Sequence, residues 1–170
     1  MARTTTGFTA GTWYSACAVF ASATSRSAYI NGGSKATDTT SRTETTLNET
    51  LIGAFVNNGP TYSQFFGGGL ADAAIWNVAL SDAEVALLEV MPPFAMRPDA
   101  LVGYWPLFGD AASPEPDFSG RANTLTITGT TRLDHPPKIS AAWHAPVRRT
   151  QRTAAGGAAP RLRTLMGVGL

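Results

Sequence analysis

The stretch WYSACAVF, residues 13–20, decides the fold. Side chains along an extended chain alternate between two faces. Trp13, Ser15, Cys17 and Val19 therefore share one face, and Tyr14, Ala16, Ala18 and Phe20 the other. Both faces are mostly apolar, as an inner β-strand requires. A turn-like SATS follows, and then RSAYINGG at 26–33, where Ala28 and Ile30 alternate with Tyr29. Asn31-Gly32 supplies the hairpin turn, because a two-residue loop needs positive φ at both central positions.

Working outward, residues 37–51 are threonine-rich and read as solvent-facing strand and loop. LIGAF at 51–55 predicts a short apolar strand, followed by the turn-forming loop NNGPTYSQ at 57–64. In residues 65–80, Leu70, Asp72, Ala74 and Trp76 share one strand face and Ala71, Ala73 and Ile75 the other. The three glycines before them predict a close backbone approach. Ser81-Asp82-Ala83-Glu84 is a capping box opening a helix through Val85, Leu87 and Leu88, with Pro92-Pro93 as its stop. LVGYWPLFG at 101–109 predicts another strand and Leu125–Thr128 a last short one, with a polar loop between them.

A chain of 170 residues, 44% apolar and 15% charged, fits one domain with a tail. The N-terminus carries no apolar core of a Sec signal, and no stretch approaches the ~20 apolar residues that span a bilayer. Cys17 is the only cysteine, which excludes an intrachain disulfide and a zinc site built from cysteines. The net charge of +1 conceals a division. Lys138, Arg148, Arg149, Arg152, Arg161 and Arg163 face no acid within residues 138–170, which leaves 7 bases against 12 acids before them. From about His135 the chain lacks strand or helix periodicity, so residues 1–137 are expected to fold and 138–170 to form an extended basic arm.

Five pieces in order carry a family resemblance: Gly11-Thr12-Trp13-Tyr14, Tyr29-Ile30-Asn31-Gly32, Leu51-Ile52-Gly53, Phe66-Gly67-Gly68 and Leu80-Ser81-Asp82-Ala83-Glu84. They resemble the second half of LamG-like domains of the concanavalin A-like lectin/glucanase superfamily. The resemblance implies an all-β fold, an antiparallel jelly-roll sandwich with one short helix. Such domains usually open with a Y-W-x-L strand and a D-x-S-G loop. Here the matching pieces, Gly103-Tyr104-Trp105-Pro106-Leu107 and Asp117-Phe118-Ser119-Gly120, follow the helix. Either this segment folds back into the vacated place, as in a circular permutation, or another subunit covers the exposed sheet; both readings predict tight packing of residues 101–135. More narrowly, the segment RP..LVGYWPL…D.SG…DHP and the basic tail resemble LamG-like proteins of tailed bacteriophages and prophages. That likeness implies a virion component made in the host cytoplasm, a capsid decoration or tail-associated protein.

Candidate chemistry is sparse. A glycosidase needs two carboxylates about 5–5.5 or 6.5–9.5 Å apart, whereas Glu44, Glu49 and Glu84 stand singly, and no catalytic residue is assigned. His135 and His144 lack a spaced partner and read as solvated loop residues rather than metal ligands. The resemblance leaves calcium open, with oxygens from Asp38, Asn57, Asn58 or loop carbonyls, although the loops lack clustered acids. Trp13, Trp76 and Trp105 read as core. A sugar ligand would be met by Asn57, Asn58, Tyr62 and Phe65, beside Phe66. Trp143 in the arm reads as an anchor for a partner's pocket, and six diffuse charges without interleaved aromatics argue against nucleic acid. The expectation is a non-enzymatic, homo-oligomeric structural protein without cofactor that contacts other virion subunits through its arm; the alternative is a carbohydrate-binding module.

Overall fold

The computed structural model describes residues 1–42, 49–56, 62–107 and 114–131. Strands β1 (Ala16–Ser22), β2 (Ser25–Ile30) and β3 (Gly33–Asp38) form an antiparallel sheet in the order β1-β2-β3. The first hairpin turns through residues 23–24, and Ser22 pairs with Ser25. The second turns through Asn31 (φ 51°) and Gly32 (φ 65°), the left-handed pair expected from the Asn-Gly sequence. Asn31 ties this turn to the start of the hairpin. Its backbone N–H donates to the Ser15 carbonyl at 3.0 Å, and its Oδ1 accepts from the Ser15 N–H at 3.1 Å.

Two smaller antiparallel pairs complete the described sheets: β4 (Phe55–Val56) with β5 (Tyr62–Ser63), and β6 (Ala73–Trp76) with β7 (Leu101–Trp105). The LIGAF stretch is corrected here. Residues 52–53 form a bend, with Gly53 at φ 81°, so pairing begins only at Phe55. The last predicted strand shrinks to one bridge between Glu115 and Leu125. Of the three glycines, Gly68 lies under the Phe66 ring, whereas Gly67 has open space around its α-carbon.

Helix α1 (Asp82–Leu87) begins where the capping box places it. The Ser81 hydroxyl accepts from the Glu84 N–H at 3.3 Å, and the Glu84 carboxylate accepts from the Ser81 N–H at 2.8 Å. A 3₁₀ turn (Pro93–Ala95) leads on toward β7. Val19, Tyr29, Leu80, Val85 and Met96 make the central cluster, with Cys17, Trp76, Leu88 and Met91 packed against it. The helix thus rests on the inner face of the first sheet. Beyond that packing, the buried Tyr29 hydroxyl donates to Asp82 Oδ1 at 2.8 Å, and Lys35 Nζ donates to the same carboxylate.

Residues 101–106 are packed as expected: Leu101, Tyr104, Trp105 and Pro106 are buried, Tyr104 to 1% exposure. Residues 118–131 are mostly exposed, so tight packing does not extend across them. They act through polar contacts. Asp117 Oδ1 accepts from the N–H groups of Tyr104 (2.9 Å) and Ser119 (2.8 Å), and Oδ2 from the Asn123 N–H (2.9 Å) and the Ser119 hydroxyl (2.8 Å). Arg121 donates to the carbonyls of Leu101 and Asp99, and Phe118 N–H to that of Tyr104. This loop therefore covers the edge of β7 that faces away from β6.

Candidate functional site

An apolar groove of about 1510 Å³ runs between β1 and the segment 66–80 that contains β6. Its walls include Trp13, Phe20, Leu70 and Val78, with Val90 and Met91 from the turn after α1. Among the described residues, two charged side chains reach it, Asp72 and Glu89. Asp72 accepts a 2.8 Å hydrogen bond from the Tyr104 hydroxyl, and Glu89 accepts one from the Ser15 hydroxyl. Burial, reinforced by the Asp72 carboxylate, pushes the Tyr104 hydroxyl far above its ordinary pKa. Burial likewise raises the Cys17 thiol, so it stands as a neutral apolar group beside the cluster.

Sequence reasoning placed the tryptophans in the core and was correct for two of them. Trp105 is buried and donates its indole N–H to the Asn123 carbonyl at 2.7 Å. Trp76 packs against the central cluster and donates to the Met96 carbonyl at 2.7 Å. Trp13 instead lies 39% exposed on the groove wall, outside β1. The groove itself escaped sequence reading. Its signal was present in the two apolar faces of residues 13–20.

The predicted sugar-contact residues fall partly within the structure. Tyr62 on β5 donates its hydroxyl to Glu49 Oε1 at 2.7 Å, which also raises the tyrosine pKa. Phe65 is 72% exposed, and Phe55 and Phe66 are exposed nearby in sequence. Asn57 and Asn58 lie outside the described residues, as do Glu44, His135, His144 and the whole arm with Trp143, Arg148, Arg149, Arg152, Arg161 and Arg163. Asp38, a calcium candidate, is occupied by cations and donors of the chain itself. The Met1 amine lies 2.9 Å and the Arg26 guanidinium 3.0 Å from Oδ2, and Thr40 N–H donates to Oδ1. The amine, with the Thr40 N–H and Arg26, holds this carboxyl well below the usual range. Among the described residues no three His, Cys, Asp or Glu side chains converge as a metal site, and no helix is long and apolar enough to cross a membrane.

The hairpin with its Asn-Gly turn and the strand leading into a capped helix now stand together, and a family model matches that part of the chain. The Laminin_G_3 model, concanavalin A-like lectin/glucanases superfamily, covers residues 1–86. The chain belongs to this superfamily. Its matched region ends within α1, so β7 and the Asp117 loop lie beyond it. No curated protein and no solved structure matches the chain.

Proposed function

We propose that the chain is a non-enzymatic structural component of a phage-like virion, a capsid decoration or tail-associated protein. In this reading the sheets close as a jelly-roll sandwich within residues 1–137, and the basic arm, 138–170, laces the domain to neighbouring subunits. The observation that carries the reading is the groove. Its volume of about 1510 Å³ exceeds the ~300–1,000 Å³ of small-molecule sites, and it is lined by apolar side chains, which suits a polypeptide occupant. Pairing of β7 with β6 favours the permutation-like reading for the Tyr104-Trp105 segment, since that segment is met in cis. The resemblance of residues 97–136 to phage LamG-like proteins supplies the virion context. Deletion of residues 138–170 is expected to leave a folded domain that no longer enters particles; normal incorporation of the truncated chain overturns the role of the arm.

Superfamily membership and the exposed Phe55, Tyr62 and Phe65 favour one alternative, a carbohydrate-binding module for host-surface glycans. Glycan-array binding abolished by Tyr62→Ala supports that alternative, and absence of binding to every arrayed sugar favours the assembly role.

A further inference from the structure

The groove has a sign as well as an apolar character. Asp72 and Glu89 bring two carboxylates to it, and among the described residues no lysine, arginine or histidine lines it. Its wall is open to water at Trp13, Phe20, Phe66, Leu70, Val78 and Val90, which are 39–72% exposed. A contiguous apolar surface of this kind marks a place where another group packs. One stretch of the same chain matches it in composition. KISAAWHAPVRR, residues 138–149, lies outside the described residues and holds Trp143, the only tryptophan, tyrosine or phenylalanine beyond Thr131. Its apolar residues Ile139, Trp143, Pro146 and Val147 are bracketed by Lys138 on one side and Arg148-Arg149 on the other. No acid interrupts them. An apolar centre between basic ends is the complement of an apolar groove that holds two acids. Later residues of the arm include no aromatic to serve as an anchor.

The arm also departs from a point tied to the groove. The Asp72 N–H donates to the Pro106 carbonyl at 3.1 Å, the Leu107 N–H donates to Glu115 Oε1 at 3.1 Å, and Glu115 pairs with Leu125. Fully extended, the chain from Leu125 to Lys138 reaches up to about 40 Å, long enough to return along the groove. We propose that residues 138–149 dock in the groove of their own chain, with Trp143 packed on its apolar wall and the flanking bases turned toward Asp72 and Glu89. The inference rests on the reading of the chain as an assembly component. It names the occupant of the groove in the free subunit and leaves residues 150–170 to reach neighbours. Pro146 has no N–H to give to a ladder, so side chains make the contact rather than an added strand. The chain's own arm is favoured over that of a second copy because a short tether raises its local concentration to about the millimolar range.

The test uses the full chain and two independent readouts. Trypsin cleavage of a docked segment follows the population of its open form. Cleavage after Lys138 and Arg148 is therefore expected to quicken about 10-fold or more in Trp143→Ala, while cleavage after Arg161 and Arg163 keeps its rate. The second readout is a pair of spin labels on Val78→Cys and Ala145→Cys in a Cys17→Ser background, diluted with an excess of unlabelled chain. A single narrow distance is expected, and Trp143→Ala should broaden it. Unchanged cleavage in Trp143→Ala, or a broad distance distribution in the chain that retains Trp143, overturns the proposal. So does a narrow distance that fades on dilution, which places the arm in the groove of a second copy. An undocked arm whose removal still keeps the chain out of particles defeats this inference and leaves the assembly reading standing; a docked arm whose removal leaves incorporation normal does the reverse.

Discussion

Gly32 is where a single methyl group most directly tests the packing of the first sheet against the helix. At φ +65° an L-residue adopts the left-handed region, which costs about 1–2 kcal/mol. A β-carbon there would stand 2.8 Å from Glu89 Cγ and 3.0 Å from Ala86 Cα. The glutamate side chain can swing away, but Ala86 Cα is helix backbone, so the hairpin must lift from α1. Overpacking of this kind costs about 1–3 kcal/mol. Together the two effects predict that Gly32→Ala destabilises the protein by about 2–5 kcal/mol, a large share of the ~5–15 kcal/mol that holds a domain folded. The neighbouring Gly33 provides the control, because a β-carbon there meets nothing nearer than the Asn31 carbonyl oxygen at 3.9 Å, and its φ is not in the left-handed range. Urea unfolding followed by tryptophan fluorescence should show a lowered midpoint for Gly32→Ala and a shift of less than about 1 kcal/mol for Gly33→Ala. Equal midpoints for the two variants would refute the claim that the turn is seated on the helix.

Three further outcomes follow from the same contacts. Gly103→Ala would place a β-carbon 2.3 Å from the Trp105 ring, so it should expel that ring and red-shift its fluorescence, together with a loss of about 1–3 kcal/mol. Asp117→Ala should cost about 2–4 kcal/mol in the same urea assay by freeing the N–H groups of Tyr104, Ser119 and Asn123; Asp117→Asn, which keeps an acceptor, should lose less. Glu84 has its pKa lowered from 4.5 to about 2, first by the Arg97 guanidinium at 2.5 Å and then by the Ser81 N–H and hydroxyl. Because the folded-state value is depressed, its stabilisation is present above about pH 4.5 and is lost as the pH falls toward 2. The urea midpoint of Glu84→Gln should therefore fall less steeply across that window than that of the native chain.

Local chemistry was readable directly in the residues. Asn31-Gly32 could turn a two-residue hairpin because these residues accept positive φ, and Ser81 with Glu84 could start a helix because their partners lie three residues apart. The superfamily was legible for a related reason, since turns, caps and strand alternation recur in fixed order along the chain. Features that depend on distant neighbours were read less well. LIGAF has the composition of a strand, yet pairing starts at Phe55 because Gly53 bends the chain before it. Leu125–Thr128 has strand-like residues but forms one bridge, its surroundings being held instead by Asp117 and Arg121. Of the candidate sugar contacts, Tyr62 could be recognised by type, but its bond to Glu49, 13 residues away, could not.

By itself the sequence determined which segments could extend, turn or coil, because those preferences belong to each residue and its near neighbours. Only the tertiary structure decided which strand lies at an edge, which tryptophan meets water and which carboxylate holds the returning segment. Edges and burial are relations between residues far apart in the chain: β1 reads as an inner strand by composition, yet among the described residues only β2 pairs with it.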